Sequence, residues 1–322
     1  TGFSSDNGAL NGQWYYWLVA DAQATVTPGI IIDATYAGGT YVTGPNLFPS
    51  VPNPTGHRKT GRNYTIGTGD DYATVQEAAG AIAQFDYDGA SDIFMELTVN
   101  YTNPAENAAI TFTNHVGPAT ITFRPQSGQT GKITAGDPGV NLEFLVLNGV
   151  QKIIFDGRPG GTGTAREWLI RNTRATGTDV GATVSLKNEA SVNALRYLTL
   201  EGEVIAGPSG GTGIVLFGTT TGANGNDNNT IANCKISDLT IGGSANYPVC
   251  GVFSLGTVAK SNDNNLITDC EIVDIFRNGT LIFDNGFVVL RDNNDSWAIR
   301  NNHCYQTANI AGEGTNSFKF IS

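Results

Sequence analysis

A short segment of this chain recurs with the same turn residues and the same apolar positions at a fixed offset. Residues 228–236 read Asn-Asn-Thr-Ile-Ala-Asn-Cys-Lys-Ile, and residues 264–272, which lie 36 positions later, read Asn-Asn-Leu-Ile-Thr-Asp-Cys-Glu-Ile. Looser copies occupy residues 193–200 and 297–304. A unit this short cannot bury its apolar face alone, whereas stacked copies share one continuous core. The repeat therefore predicts a solenoid.

A second repeated element, a glycine followed by an apolar strand, lies between these copies at residues 213–216, 251–255 and 286–290. The unequal lengths of the units favour a β-helix, whose loops accept insertions. Alternation of apolar and polar residues assigns one face of each strand to the core. We predict two inward stacks, Ile231 with Ile267 and Ile299, and Ile214 with Val252 and Phe287.

These features predict an all-β chain: a right-handed parallel β-helix with one N-terminal capping α-helix and a strand-rich N-terminal segment. A tandem of immunoglobulin-like sandwiches is the competing fold, but it does not explain recurring turn residues at a near-constant offset. We expect residues 1–66 to form the strand-rich segment with a Pro/Gly linker, and residues 67–322 to form the β-helix. The strand-like residues 318–322 lead us to expect that the β-helix continues beyond this chain.

The capping helix is predicted at about residues 71–85. Val75, Ala78, Ala79 and Ile82 follow the spacing of one apolar helix face, while Thr74 and Glu77 fit a capping box. A solenoid needs its open end covered, because exposed sheet edges and an exposed core invite aggregation.

The segment just before and within this helix carries a resemblance. Residues 67–78, Gly-Thr-Gly-Asp-Asp-Tyr-Ala-Thr-Val-Gln-Glu-Ala, resemble the entry segment of pectate-lyase-like β-helix proteins. The Asn-rich repeats that follow look like the β-helix domains of large bacterial cell-surface proteins. The resemblance covers residues 67–322 and implies the fold rather than an activity, since this fold serves lyases, hydrolases, esterases and adhesins. The catalytic motifs of pectin methylesterases have no counterpart here.

Composition excludes some functions. The chain of 322 residues has a net charge of −11 and only 15% charged residues, which argues against a nucleic-acid partner. No apolar run approaches the length of a membrane span. The resemblance to the β-helix domains of cell-surface proteins implies a secreted or cell-surface protein.

The four cysteines, Cys234, Cys250, Cys270 and Cys304, all lie in the last third of the chain. The chain has no CxxC pair and only three histidines, so the sequence does not favour a zinc site. The cysteines are expected as small buried residues stacked on successive turns. A disulfide between turns is the alternative, and three complete pairings stay open.

Loops rich in Asn and Asp precede the repeat strands and contain Asp227, Asp263 and Asp292. Asn and Asp tolerate left-handed backbone and bond their own turns, so a ladder of turn residues is the favoured interpretation. Oxygen-rich neighbours also suit Ca²⁺, and a calcium site is the alternative. No other cofactor is expected.

Lys235, Glu271 and His303 fall at equivalent positions of successive repeats. A cation, a carboxylate and an imidazole in one column are weak candidates for an acid–base site, but a ladder of compensating charges is favoured. Asp269 is a further outward acid, and Asp238 and Asp274 lie beyond the strands.

The aromatic run Trp14, Tyr15, Tyr16 and Trp17 is the candidate surface for a glycan or a protein partner, with core packing as the alternative. The function expected from all these features is a non-catalytic extracellular module, structural or adhesive, that contacts glycans or other proteins and can self-associate. The alternative is a polysaccharide-degrading lyase or glycoside hydrolase.

Overall fold

The computed structural model describes residues 30–32, 58–60, 63–82, 92–140, 142–174, 181–203, 211–239, 248–275 and 286–307. The chain divides into two compact units, Thr1–Gly61 and Arg62–Ser322. In the first unit, β1 (Ile30–Ile32) pairs antiparallel with β2 (Arg58–Thr60). Trp14, Tyr15, Tyr16 and Trp17 lie outside the described residues.

The second unit is a parallel β-solenoid, which confirms the predicted fold class. Apart from one short pair of strands, its described strands form three sheets. Sheet 1 has eight strands: β3 (Asn63–Ile66), β4 (Ile93–Leu97), β6 (Ile121–Pro125), β9 (Ile153–Asp156), β12 (Ala194–Arg196), β15 (Thr230–Ala232), β19 (Leu266–Thr268) and β23 (Ala298–Arg300). Sheet 2 has six: β7 (Lys132–Gly136), β10 (Trp168–Asn172), β13 (Leu198–Glu201), β16 (Lys235–Ser237), β20 (Glu271–Val273) and β24 (His303–Tyr305).

Sheet 3 also has six strands: β5 (Ile110–Phe112), β8 (Leu145–Asn148), β11 (Val184–Lys187), β14 (Val215–Phe217), β17 (Cys250–Ser254) and β21 (Gly286–Leu290). A short pair, β18 (Asn262–Asp263) with β22 (Asn294–Asp295), lies between sheets 3 and 1 along the chain. From β9 onward the chain visits sheets 1, 2 and 3 in turn, and each such turn is one rung.

The register of sheet 1 is the predicted one. Ile231 pairs with Ile267, and Ile267 pairs with Ile299, so that the three form one stack. Ile231 and Ile267 are buried in the main core, against which Ile299 packs.

The register of sheet 3 differs from the prediction by one residue. Val252 pairs with Val215 and Val288 rather than with Ile214 and Phe287. All five residues of β17 are buried, because an apolar cluster on the outer face, including Phe253 and Val289, is covered as well. A strand buried on both faces loses the alternation that identifies its inward residues.

The capping helix α1 spans Val75–Ile82 and is the only α-helix among the described residues. Its buried residues are Val75, Ala78, Ala79 and Ile82, the predicted apolar face. The amide of Glu77 donates to Thr74 Oγ1 at 3.1 Å, and Glu77 in turn accepts from the amide of Ala73 at 2.7 Å. The Thr74 half of the predicted capping box is therefore formed, while Glu77 caps the amide one residue before Thr74.

A buried carboxylate from a later loop also caps this helix. The amides of Val75 and Gln76 donate to Glu106 at 3.0 and 2.7 Å, and the Tyr101 hydroxyl donates to the same carboxylate at 2.8 Å. Tyr101 also contacts Thr134 Oγ1 at 2.7 Å, in β7 of sheet 2. Because Glu106 joins the helix amides to this hydroxyl chain, it fixes the cap on the first rungs.

Candidate functional site

The structure brings Lys235, Glu271 and His303 together on the outer side of sheet 2. Lys235 pairs with Glu271, and Glu271 pairs with His303, so the three side chains are one rung apart on β16, β20 and β24. Tyr305 lies two residues beyond His303, and the two rings are 4.6 Å apart between centroids. The column that the sequence indicated therefore exists as a surface feature.

Glu271 is held by two partners from other parts of the chain. The Tyr305 hydroxyl donates to Oε1, and Arg166 Nη1 donates to Oε2 at 2.9 Å. The hydrogen bond from Tyr305 lowers the pKa of Glu271 below its ordinary value, and Arg166 and the charge of Lys235 lower it further against the opposing effect of burial. Glu271 therefore stays ionised at neutral pH, whereas a general acid needs a raised pKa.

Arg166 reaches Glu271 from the loop at residues 157–167, which joins β9 to β10. Its Nε also donates to the carbonyl oxygen of Asn233 at 2.7 Å, so that one guanidinium group bonds to two neighbouring rungs. Gly157 begins this loop, and a Cβ there would lie 1.8 Å from the carbonyl oxygen of Tyr197. Only glycine permits so close an approach of the two backbones.

An ionic cluster anchors the same loop. Asp156 is fully buried and accepts from Arg158 at 2.9 and 2.8 Å and from Arg196 at 3.0 Å. The Arg158 guanidinium also lies over the ring of Tyr197, 4.3 Å from its centroid. Tyr197 is thus held in one orientation by a cation–π contact.

A depression of about 340 Å³ lies between this loop and the corner at which sheet 1 turns into sheet 2. We call it the corner depression; it is lined by Thr164, Arg166, Tyr197 and Asn233. It combines an aromatic ring with hydroxyl, guanidinium and amide groups. Such a mixture suits a polar ligand that has a flat apolar face.

The backbone at this corner is left-handed on four successive rungs. The φ angles are 53° at Tyr197, 56° at Asn233, 55° at Asp269 and 55° at Asn301. Asn and Asp tolerate this conformation, whereas a bulky residue there is strained. Tyrosine at residue 197 is therefore the exception at this corner, and backbone strain of this kind often marks a functional site.

The sequence analysis missed Tyr197 and Arg166. The signal for Tyr197 was the repeat itself, since residues 193–200 place tyrosine where the other copies have Asn, Asp and Asn. No comparable signal existed for Arg166, whose partner Glu271 is 105 positions away in the sequence.

The loops that contain the aspartates stack on successive rungs, but only Asp227 and Asp263 of the three predicted aspartates are neighbours in this stack. The amide of Asp263 donates to Asp227 Oδ1 at 2.8 Å, which places these two one rung apart. Asp263 then pairs with Asp295, not with Asp292, because the last repeat has the shorter offset of 32 residues that also pairs Ile267 with Ile299. Burial raises the pKa of Asp227, and the charges of Asp263 and Glu189 add to this effect.

Among the residues that the structure describes, no group of three His, Cys, Asp or Glu side chains is placed to hold a metal ion. Asp227 Oδ1 already accepts a backbone amide, although Asp263 Oδ1 is buried with no hydrogen-bond partner in the described part of the chain.

Two ladders of buried asparagines flank the aspartates and explain why the loops are rich in this residue. In one, the amide of Asn193 donates to Asn229 Oδ1 at 3.0 Å, and the amide of Asn229 donates to Asn265 Oδ1 at 2.8 Å. In the other, the amide of Asn226 donates to Asn262 Oδ1 at 3.0 Å. These side chains satisfy turn amides that no strand partner reaches.

A second group of acids lies where the strands of sheet 2 end. Burial raises the pKa of Asp238 to about 7, and the nearby charges of Glu203, Asp274 and Glu201 contribute to the increase. Arg171 donates to Glu201 at 2.8 Å. Asp238 can therefore exchange a proton near neutral pH, a property that the sequence alone did not assign to it.

Comparison of the chain with protein-family models, curated proteins and solved structures found no match. In the described part of the chain, no helix has the length and apolar character needed to cross a membrane.

Proposed function

We propose that this protein is a non-catalytic, adhesive β-solenoid module that binds a glycan in the corner depression. The observation that carries the proposal is Tyr197, a tyrosine at a left-handed corner that three other rungs fill with Asn or Asp. The fold itself is served better by Asn or Asp there; Arg158 holds the ring on one side, and the proposal assigns the ring a ligand contact in the depression.

The chemistry around the ring fits a sugar. Tyrosine rings pack against the apolar faces of pyranose rings, while neighbouring polar groups bond to the hydroxyls. Thr164, Arg166 and Asn233 supply such groups in the same depression. Arg158 holds the tyrosine ring in place, which reduces the entropy lost on binding.

A binding role agrees with the state of Glu271. The hydrogen bond from Tyr305, the ion pair with Arg166 and the lowered pKa make Glu271 an anchor for the loop at residues 157–167 rather than a proton donor. The proposal includes display outside the cell, as in the bacterial surface proteins that the Asn-rich rungs resemble. It also includes membership of the pectate-lyase-like superfamily.

The test is binding to a panel of immobilised neutral and acidic glycans, with wild type compared to Tyr197→Asn. Asparagine suits the left-handed corner, so this change removes the ring without disturbing the rung. We expect the variant to lose at least tenfold in affinity for any glycan that wild type binds. Asp269→Asn, at the same corner but outside the depression, is the matched control and should bind as wild type does. Equal binding by Tyr197→Asn, or no binding by wild type to any glycan, would reject the proposal.

The alternative function, polysaccharide degradation, is favoured by one observation, the raised pKa of Asp238 among Glu201, Glu203 and Asp274. A carboxyl group that titrates near neutrality can act as a general acid. Incubation with the same glycans, followed by assays for new reducing ends and unsaturated products, separates the two functions. Turnover that Asp238→Asn abolishes would establish the enzyme and contradict the non-catalytic proposal.

A further inference from the structure

Two of the four cysteines occupy the same position on neighbouring rungs. Lys235 and Glu271 are paired residues of β16 and β20, and Cys234 and Cys270 directly precede them. The amide of Glu271 donates to the carbonyl oxygen of Cys234 at 2.8 Å, which fixes this register. Both cysteines belong to the main core, with exposed fractions of 0% and 2%.

Their thiols point in the same direction. Cys234 Sγ lies 3.4 Å from the carbonyl oxygen of Leu195, and Cys270 Sγ lies 3.6 Å from the carbonyl oxygen of Ile231, the residue paired with Leu195. The neighbouring Cys234 thiol also lowers the pKa of Cys270. The two side chains therefore have the same orientation, one rung apart.

This arrangement meets the main requirement for a disulfide. Neighbouring strands lie about 4.8 Å apart, and disulfides form when the two Cα atoms are roughly 4.4–6.8 Å apart. All four cysteines are reduced in the structure. We propose that Cys234 and Cys270 form a disulfide bond between rungs when the chain folds in the presence of a low-molecular-weight disulfide.

The other pairings do not meet this requirement. Cys304 pairs with Ile272, whereas the Asn302 side chain accepts from the amide of Cys270 at 2.9 Å, so Cys304 is offset diagonally by two residues. Diagonal neighbours are about 7–8 Å apart, which exceeds the reach of a disulfide. Cys250 lies in sheet 3, in the outer apolar cluster with Phe253 and Val289. The structure thus favours one disulfide and two thiols over any complete pairing of the four.

The reaction is an ordinary thiol–disulfide exchange. The thiolate of Cys270 attacks the small disulfide and forms a mixed disulfide, and one small thiol leaves. The thiolate of Cys234 then attacks the Cys270 sulfur and releases the second small thiol. The two cysteines lose two protons and two electrons, and the reagent is reduced to two thiols. Because both sulfurs are buried, the exchange is expected while the rungs assemble rather than after they have closed.

Trypsin places each cysteine in a different peptide, which makes the test direct. Cleavage after lysine and arginine gives residues 197–235 with Cys234, 236–260 with Cys250, 261–277 with Cys270, and 301–319 with Cys304. The full chain is unfolded and reduced, refolded in a mixture of reduced and oxidised glutathione, alkylated, digested without reductant and analysed by mass spectrometry.

We expect peptide 197–235 joined to peptide 261–277, with the other two cysteine peptides alkylated. The proposal would be overturned if all four peptides were recovered alkylated. It would also be overturned if the main product were peptide 301–319 joined to peptide 261–277 or to peptide 197–235. Circular dichroism confirms beforehand that the refolded chain is native, so that these results report on folded protein.

Two serine variants sharpen the result. Cys304→Ser should retain the joined peptides, whereas Cys270→Ser should lose them and leave Cys234 alkylated. The oxidised wild type should also melt at a higher temperature than the reduced form, because the bond restricts the unfolded chain. The difference in melting temperature between oxidised and reduced protein should disappear in Cys270→Ser and persist in Cys304→Ser. A difference that persists in Cys270→Ser and disappears in Cys304→Ser would assign the bond to another pair.

Discussion

Tyr197 and Asn233 occupy the same corner of neighbouring rungs, with φ angles of 53° and 56°, and both line the corner depression. The amide of Tyr197 donates to the carbonyl oxygen of Ala232 at 3.1 Å, so the two rungs are bonded at this point. Asn233 tolerates the left-handed backbone of this turn, whereas the bulkier Tyr197 is strained by it. This difference connects the local backbone of the solenoid with the function proposed for it.

Replacing Tyr197 by Asn should leave the free energy of unfolding within about 1 kcal/mol of wild type. Relief of the left-handed strain is worth roughly 1–2 kcal/mol, and loss of the contact with Arg158 costs about 0.5–1 kcal/mol. Urea denaturation measures the balance. A loss above about 2 kcal/mol would mean that the ring is mainly a packing residue.

Ile267→Asp should destabilise the protein by about 4 kcal/mol, because it places an unpaired charge in the centre of the Ile231–Ile267–Ile299 stack. Leu266→Asp is the control, since Leu266 is only partly buried on the other face of the same strand. Denaturant melts of the two variants should differ clearly. Equal losses would refute the assignment of Ile267 to the core.

Asn229→Ala should cost about 2–3 kcal/mol, because it leaves the buried amide of Asn193 without an acceptor. Asn228→Gly is the matched control at the preceding residue. Asn228 is exposed and has a φ of 58°, which glycine adopts freely, so a change of less than about 1 kcal/mol is expected. Thermal and urea unfolding of both variants measure the contrast. A small loss for Asn229→Ala would show that water can replace the ladder.

The stability of the wild type should depend on the titration of Asp238. Its pKa is raised from 3.8 to about 7 in the folded state, so the folded state binds this proton more tightly than the unfolded state does. The resulting contribution to stability is fully present below about pH 3.8 and is lost as the pH rises through about 7.

Asp238→Asn removes this titration and should be more stable than wild type above about pH 7, with the advantage shrinking as the pH falls. Chemical denaturation at a series of pH values measures the difference, and carbon NMR of the carboxyl group gives the pKa directly. Parallel stability profiles for the two proteins would contradict the raised pKa.

Calcium should not change the melting temperature. Asp227 Oδ1 accepts the amide of Asp263, and Asp292 lies outside their ladder. A ligand that binds only the folded state raises the midpoint, so melts in millimolar calcium and in chelator test this prediction. The prediction would be wrong if calcium raised the melting midpoint of the wild type but not that of Asp263→Asn. That result would place an ion at Asp263.

The sequence by itself determined the solenoid, the inward stack of sheet 1 and the apolar face of the capping helix. These features depend on local patterns. The 36-residue offset that separates Asn229 from Asn265 in the sequence is the same offset that joins them in the ladder. Val75 to Ile82 follow a helical period. Such patterns are readable because each residue's environment is set by its neighbours in its own repeat.

Only the tertiary structure decided two kinds of feature: those of strands that are buried on both faces, and contacts between segments that are distant in the sequence. Burial of β17 on both faces shifted the Val252 stack by one residue. Asp238 acquires its raised pKa from burial and from acids on other rungs. Arg166 meets Glu271, 105 positions away in the sequence, because the loop that carries Arg166 reaches across the rungs between them. Interactions between rungs depend on how the rungs are aligned with one another. The sequence of a single repeat does not contain this alignment.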